Sequence, residues 1–314
     1  MPHGDLAIYQ TQPPMSSNME GLSLRSDVMY TNHKGEEKAR IRKRQEKLLR
    51  KLKPALQRVL VQEESILFIA RAQSPLSMVE QLTAGWWTML LAASALVVTN
   101  KRILFFPVKR DGSWRESVRS LQWGDVESVK PGGFLARNVA FKFRNGQKNT
   151  YTNFRRADAK KIGQIASVMV PAASGEPSAC HGMAQLCPDC RNLLTAGVYN
   201  CSQCGLIFKN EKTMVWRSIF LPGGGYFYTG HPLVGLLPAL AEIYFIFIIV
   251  VIAANGLKSP DAVAGLIGAF TVLAFIFALE TAVTILHCRR YIREFIPEKR
   301  DPSRAQSLSA GFGS

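Results

Sequence analysis

Four cysteines in one short segment carry the clearest chemical signal in this sequence. Cys187 and Cys190 form one Cys-x-x-Cys pair, ten residues follow, and Cys201 and Cys204 form a second pair. Two such pairs at this separation are typical of one tetrahedral Zn²⁺ held by four thiolates. Because four protein ligands leave no open coordination position, the spacing predicts a structural zinc and not a catalytic one.

The residues around the cysteines support the same interpretation. Gly205, directly after the last cysteine, permits a tight turn in which backbone N–H groups face the sulfurs. The segment resembles a short zinc ribbon over residues 183–209 and matches that family at all four ligand positions. A redox role for the pairs fits this spacing less well. The Pro, Ala, Ser and Gly content of 171–182 predicts a linker before the ribbon.

Other chemistry has no comparable signal in the sequence. No nucleophile–base arrangement, phosphate-binding loop or catalytic metal pattern occurs. The glycines at 223–225 are followed by no Lys-Ser/Thr and preceded by no strand–helix unit, so they form neither a Walker loop nor a dinucleotide fingerprint. We therefore expect a protein that is not an enzyme, with no catalytic residues and no organic cofactor.

Two long apolar runs near the C-terminus predict a membrane hairpin. Residues 233–254 and 262–287 each exceed the roughly 20 residues that a helix needs to cross the hydrocarbon core. Asn255-Gly256 between them indicates a helix end, and Ser259-Pro260 indicates the start of the next helix. We expect a membrane domain over 214–293 with these two spans. A soluble helical hairpin is the alternative.

Basic residues flank the two runs and predict their orientation. Three precede the first run and five follow the second, whereas the loop between them has only Lys258, near Asp261. The positive-inside rule then places both termini in the cytoplasm of a multi-pass membrane protein. The glycine- and tyrosine-rich stretch at 222–230 resembles the start of TM2-type two-helix membrane domains. The acidic-Arg-Phe signature of that family is missing, so the resemblance implies architecture only.

Two carboxylates lie within the apolar runs. Glu242 and Glu280 fall at similar depth of an antiparallel hairpin, in its cytoplasmic half. Carboxylates in a bilayer are costly, and they often act on protons or ions. A transporter or channel subunit that uses this pair is one hypothesis. The other is that each carboxylate is neutral or reaches headgroup water.

The N-terminal part is polar and then strongly basic. Residues 1–33 lack periodicity and predict a disordered tail, and residues 294–314 are expected to form a flexible tail. Residues 34–60 combine many Lys and Arg with leucines at helical spacing, which predicts a basic amphipathic helix. This helix either lies on an anionic membrane leaflet or packs its leucines on the next domain. The net charge of the chain, +16, favours anionic partners.

Residues 61–170 predict a small antiparallel sheet followed by a helix. The apolar and alternating stretches and the turn signals between them indicate seven strands, at 65–71, 95–99, 102–108, 115–121, 126–130, 138–144 and 148–154. Apolar residues at helical spacing over 159–170 predict the closing helix.

This order resembles the pleckstrin-homology superfamily, in particular the bacterial PH-like or GRAM-like domains. The stretch 95–105, with Thr99 and Arg102 in its central turn, looks like the family's hydrophobic strand, Thr-x-x-Arg turn and second strand. The resemblance implies a binding module and no catalysis. No Lys or Arg occurs between Arg71 and Lys101, which argues against recognition of a phosphoinositide headgroup by the first strand pair.

The predicted fold is thus multidomain: a β-rich PH-like barrel with a C-terminal helix, a small zinc ribbon and an α-helical two-span transmembrane hairpin. We expect a membrane-anchored scaffold or adaptor whose partners are anionic inner-leaflet lipids and a protein of unknown identity, with a homo-oligomer possible. A membrane-tethered nucleic-acid-binding regulator is a further hypothesis. It is weakened because the 187–204 segment holds one basic residue, Arg191, and one aromatic, Tyr199.

Overall fold

The structure is a computed structural model, and it describes residues 16–19, 21–77, 80, 92–133, 137–173, 182–256 and 260–298. The chain divides into two compact units, Met1–Leu76 with Ala92–Leu206, and Ser77–Leu91 with Ile207–Ser314. The predicted tails and the predicted linker lie partly outside the described residues.

The first unit is built on eleven described strands. They are β1 (Ser16–Met19), β2 (Leu22–Arg25), β3 (Ile66–Gln73), β4 (Ala93–Thr99), β5 (Arg102–Pro107), β6 (Val118–Gln122), β7 (Val126–Gly132), β8 (Asn138–Phe143), β9 (Lys148–Tyr151), β10 (Ala184–Leu186) and β11 (Leu193–Leu194). Its helices are α1 (Ser26–Met29), α2 (Ala39–Val59) and α3 (Arg156–Ala172), with a 3₁₀ turn at Trp123–Asp125.

The strands form two sheets. The larger has the order β1-β2-β3-β4-β5-β6-β10-β11 and is antiparallel except where β2 meets β3. The smaller has the order β7-β8-β9, and a bridge between Gln73 and Thr152 joins the two. The prediction of a β-rich domain with seven strands from β3 to β9 and a closing helix is confirmed.

The larger sheet is buried on both faces, which explains its nearly continuous apolar strands. In β4 and β5, Leu96 and Phe105 face the smaller sheet and α3, whereas Val97 and Leu104 face α2. The leucines of α2 are among its buried residues. The basic helix therefore packs its apolar face on the sheet, as one of the two sequence hypotheses proposed.

The N-terminal segment differs from the predicted tail. Residues 1–33 were expected to be disordered, but residues 16–33 contribute β1, β2 and α1. Leu22, Leu24 and Met29 are buried in the cluster beneath α2. A few apolar side chains in a polar segment give little periodicity, so their burial depends on contacts distant in sequence.

Lys161 on α3 makes the stability of this unit depend on pH. Its side chain is 4% exposed, and its ammonium donates to Oγ1 of Thr31 (3.0 Å). Burial lowers the pKa of Lys161 to about 8, below the value near 10.4 of an unfolded lysine. Between these values the unfolded chain binds more protons, so the free energy of unfolding rises with pH.

We expect Lys161→Met to be more stable than the wild type at pH 7, by up to about 3 kcal/mol, because the buried charge is removed. The difference should shrink as the pH rises from 8 to 10, where the wild-type lysine loses its proton. Thermal unfolding of both proteins, followed by circular dichroism, measures it. A difference that is constant over this pH range would contradict the assignment.

The second unit is helical. Its described helices are α4 (Glu211–Phe220), α5 (Gly224–Thr229), α6 (Pro232–Gly256) and α7 (Pro260–Ile292). The side chain of Asn210 caps α4 by accepting from the N–H of Thr213 (2.8 Å). Residues 294–298 were expected to begin a flexible tail, but Phe295 is buried against Phe208, and a bridge pairs Phe208 with Pro297. The apolar contacts of this segment place it in the unit.

Candidate functional site

Each Cys-x-x-Cys pair lies in a tight turn, and the two turns share one backbone geometry. The N–H of Arg191 donates to the carbonyl of Cys187 (3.0 Å), and the N–H of Gly205 donates to the carbonyl of Cys201 (2.9 Å). Arg191 and Gly205 have φ angles of 65° and 69°, in the left-handed region. Glycine adopts this region freely. The sequence indicated the turn at Gly205 but had no signal for the one at Arg191.

Backbone N–H groups point at the sulfurs of Cys187, Cys190 and Cys201. The donors are Asp189 and Cys190 for the sulfur of Cys187, Asn192 for that of Cys190, and Gln203 and Cys204 for that of Cys201. Hydrogen bonds of this kind stabilise the thiolate, which is the form that binds metal. The turns therefore favour the form of these cysteines that could bind a metal ion.

Burial and hydrogen bonding act in opposite directions on these thiols. Burial raises the pKa of Cys187 far above its ordinary value and raises the pKa of Cys190 to about 11. Burial also opposes ionisation of Cys201, but the backbone donors outweigh it and lower its pKa to about 7. A divalent cation would displace the remaining protons, because a coordinating thiol is deprotonated.

The spacing of the four sulfurs suits a tetrahedral ion. All four Sγ atoms lie within 4.8 Å of one another. The Cys190–Cys201 separation is 3.4 Å and the Cys187–Cys204 separation is 3.6 Å. Zinc–sulfur bonds of about 2.3 Å in a tetrahedron place the sulfurs about 3.8 Å apart. All four cysteines are free thiols. The structure thus brings the predicted ligands together at metal-binding distances.

The cysteine unit is joined to the larger sheet. It was expected to be a separate module over 183–209 after a linker at 171–182, but α3 continues to Ala172 and β10 pairs with β6, with Leu186 opposite Val118. Arg191 donates from Nη1 to the carbonyl of Leu60 (3.2 Å), just after α2. These contacts join the segment that carries the four cysteines to the larger sheet and to the end of α2.

The Thr99-x-x-Arg102 turn contains a buried ion pair. The Arg102 guanidinium donates to both carboxylate oxygens of Glu64 (2.9 Å each) and to the carbonyl of Val59 (3.0 Å). The Thr99 hydroxyl also donates to Glu64 (2.8 Å). The side chain of Glu64 is fully buried. The turn that carries the family resemblance is therefore a structural junction between α2 and the sheet.

Comparison with known families agrees with this architecture. Residues 60–167 match the family model of the bacterial PH domain. No curated protein matches the chain. Among solved structures, a crystal structure of the C-terminal domain of an unknown protein from Leishmania infantum is similar at 12% identity, with a TM-score of 0.25. That similarity covers 34% of this chain and 85% of the other. The resemblance of the β-rich part to bacterial PH domains is confirmed.

The PH-like domain shares its chain with two helices that are long and apolar enough to cross a membrane. They are Pro232–Ala254 and Ile267–Ile292, with mean hydropathies of 2.6 and 2.2. Only 6% and 11% of the two apolar windows are buried within the protein. Leu233 and Phe275, for example, are 71% and 70% exposed. Helices of a soluble core would bury such residues.

The two carboxylates of these helices meet. The Glu242 side chain is within hydrogen-bonding reach of Glu280 and also accepts from the backbone N–H of Gly223. The Glu280 carboxylate accepts from the hydroxyl of Thr284 (2.7 Å). The sequence predicted both carboxylates at similar depth in an antiparallel hairpin, and in the structure their side chains lie within hydrogen-bonding reach. Gly223 and Thr284 were missed, because neither residue type signals such a contact.

The glycines before α6 permit close packing of the helices. A Cβ atom on Gly223 would collide with the carbonyl of Gly235, and one on Gly224 would collide with the carbonyl of Arg217. Gly223 also has a left-handed φ of 64°. Small residues at such positions let backbones approach closely within a membrane. The glycine run therefore serves close packing: Gly223 forms the bend between α4 and α5, and Gly224 and Gly225 begin α5.

Proposed function

We propose that this protein is a non-enzymatic membrane-anchored adaptor. A domain of a binding family and two lipid-compatible helices occur in one chain, and this combination carries the proposal. PH-like folds serve mainly to bind lipids or proteins. The hairpin holds the PH-like domain and the metal centre at the inner leaflet, where they dock a partner.

Anchoring is supported by the exposed apolar surface of α6 and α7. Transfer of such surface from water to lipid is strongly favourable, at roughly 25 cal/mol per Å². Basic residues flank the hairpin on the side of both termini, among them Arg217, Arg289 and Arg293. By the positive-inside rule these residues lie in the cytoplasm, so both termini are cytoplasmic in the proposed topology.

The metal centre acts as a structural element in this proposal. Cys187, Cys190, Cys201 and Cys204 would hold one Zn²⁺ and leave it no open position. The ion would supply rigidity and no chemistry on a substrate. A zinc-ribbon relationship accounts for the two matching turns. The TM2-type architecture is the corresponding proposal for the hairpin, supported by the glycine bend before α6.

The proposed partners are anionic inner-leaflet lipids and a protein. The net charge of +16 favours an anionic surface, and exposed cations such as Lys43 line the solvent side of α2. Nucleic acid is disfavoured because the metal unit has few cations and aromatics for phosphates and bases.

The contact between Glu242 and Glu280 favours a second candidate function, that of a subunit of an ion or proton transporter. Two helices cannot enclose a pathway by themselves, so this function requires a homo-oligomer. Native mass spectrometry of the detergent-solubilised protein tests this requirement of the transporter hypothesis. A monomer excludes transport by this pair.

We expect the full-length protein to remain in the membrane pellet after a carbonate wash. The double variant Ile246→Arg/Phe275→Arg should move a large fraction into the supernatant, because each arginine costs about 2.5–3.5 kcal/mol at the centre of a span. Both side chains are exposed in the protein, so the substitutions leave its internal packing intact.

The matched control is Ile246→Ala/Phe275→Ala, which should stay in the pellet. Protease treatment of sealed inside-out membrane vesicles tests the topology. Because the cytoplasmic face points outward in these vesicles, tags at both termini should be cleaved. A wild-type protein that is released by carbonate, or that is soluble and monodisperse without detergent, would contradict the proposal.

A further inference from the structure

A cleft lies between α2 and the PH-like sheet in the first unit. Its volume is about 560 Å³, within the range of small-molecule sites. Its walls come from three places: α2, the end of β3 with the turn at 110–111, and the segment 153–158 at the start of α3. Five lining residues lie on α2, outside the residues that match the PH family. The cleft is therefore not a feature of the family module alone.

The cleft is lined by six cations and only two carboxylates. Both carboxylates are already paired, since Asp158 binds Arg44 (2.6 Å) and Asp111 binds Lys51 (3.5 Å). The remaining cations are Lys47, Arg71, Arg110 and Arg155, all exposed. Within the described part of the chain, none of these four has an ion-pair partner. Arg155 influences the pKa of Asp158 only through the long-range attraction of its charge.

The turn at Gly112 brings the side chain of Arg71 close to the segment that carries Arg110. A Cβ atom on Gly112 would collide with the Arg71 guanidinium and would also touch the Lys51 side chain. Glycine at this position, with a φ of +92°, lets Arg71 lie against the turn that carries Arg110. Guanidinium groups bind phosphate in a planar, bidentate manner. This end of the cleft therefore suits a phosphate group.

Gln45 adds a neutral recognition group to the cleft. It lines the cleft and is only 1% exposed. Neither its Oε1 nor its Nε2 has a hydrogen-bond partner among the described residues. A buried amide without partners is unfavourable, so such a group is expected where a ligand supplies both a donor and an acceptor.

We propose that this cleft binds a small phosphate-bearing molecule, with the phosphate held by Lys47, Arg71 and Arg110 and a polar group of the ligand paired with Gln45. The size of the cleft admits a phosphorylated sugar, inositol or nucleoside. The inference does not depend on the adaptor role, since all the groups belong to the first unit. The phosphate can come from a soluble metabolite or from a lipid headgroup.

The test uses the full-length protein in phosphatidylcholine nanodiscs, titrated calorimetrically with pyrophosphate and with inositol 1,4,5-trisphosphate. We expect saturable binding of at least one probe at one site per chain. Arg71→Gln and Arg110→Gln should each weaken it roughly tenfold or more, because each removes a charge-assisted hydrogen bond. Arg50→Gln, an exposed cation of α2 outside the cleft, is the matched control and should bind like the wild type.

Gln45→Leu separates recognition from folding. It should raise the thermal unfolding midpoint without ligand, since it removes an unsatisfied amide, and yet weaken binding of inositol 1,4,5-trisphosphate. Adding phosphatidylinositol 4,5-bisphosphate to the same nanodiscs distinguishes the sources. Weaker apparent binding of the soluble probe there assigns the cleft to a headgroup, and unchanged binding assigns it to a soluble ligand.

Two results would overturn the proposal. One is the lack of saturable binding of either phosphate probe. The other is binding that Arg71→Gln and Arg110→Gln leave unchanged, or that Arg50→Gln weakens equally, since it would then arise from the general positive charge of the protein.

Discussion

Cys201→Ser is expected to abolish stoichiometric metal binding. The wild-type protein, purified without chelators, should contain one zinc per chain by inductively coupled plasma mass spectrometry, and the variant should contain almost none. Serine cannot replace the thiolate as a soft ligand, and three remaining sulfurs bind zinc far more weakly. Because metal binding and folding are coupled in such units, the segment 184–206 should also become sensitive to proteolysis.

Cys288→Ser is the matched control for this experiment. Cys288 is also a buried free thiol, but it lies on α7, outside the cluster of four. Its substitution should leave the zinc content unchanged. A Cys201→Ser protein that keeps one zinc, or a wild-type protein that resists proteolysis of 184–206 after treatment with a strong chelator, would refute a structural metal at this site.

Arg102→Met is expected to destabilise the first unit by about 3–5 kcal/mol, because it leaves a buried carboxylate without its partner. The Glu64 side chain is fully buried, and Arg102 donates to both of its oxygens. Chemical unfolding of the full-length protein in detergent, followed by circular dichroism, measures the loss. The double variant Glu64→Gln/Arg102→Met should recover part of it, since no charge remains buried.

Lys101→Met is the control for the neighbouring position. Lys101 is exposed, and its ammonium donates to the backbone carbonyl of Gln62 (2.9 Å). Its loss should change the free energy of unfolding by no more than about 0.5 kcal/mol. If Arg102→Met costs as little as this control, the ion pair does not hold α2 to the sheet.

Local patterns were sufficient to predict the central part of the fold. Strands β3 to β9 alternate or run apolar between clear turn signals, and both features are encoded within a few residues. The amphipathic character of α2 could also be predicted from the sequence. The surface that its apolar face contacts could not. A bilayer and a sheet offer the same apolar environment to Leu49 and Leu52. Only the tertiary structure distinguishes them.

The features that the sequence did not reveal depend on contacts between distant segments. β10 has three residues, and its pairing with β6 joins positions more than sixty residues apart. In the sequence, three cations of the cleft belong to the basic amphipathic helix, and Arg71 stands before a long stretch without Lys or Arg. Their convergence results from the packing of α2 beside β3, which no local pattern encodes. The clustering of the four cysteines was predicted because their spacing is itself local.

The pairing of β10 with β6 has a consequence for self-association. A metal ion bound by the four cysteines would hold β10 and β11 beside β6, whose Val118 and Leu121 are fully buried. Loss of the ion by oxidation or metal starvation would uncover the backbone N–H and C=O groups of β6. An unprotected strand at the margin of a sheet is a template for addition of a strand from another molecule. Metal binding by the four cysteines would thus also protect the protein against forming intermolecular β-structure.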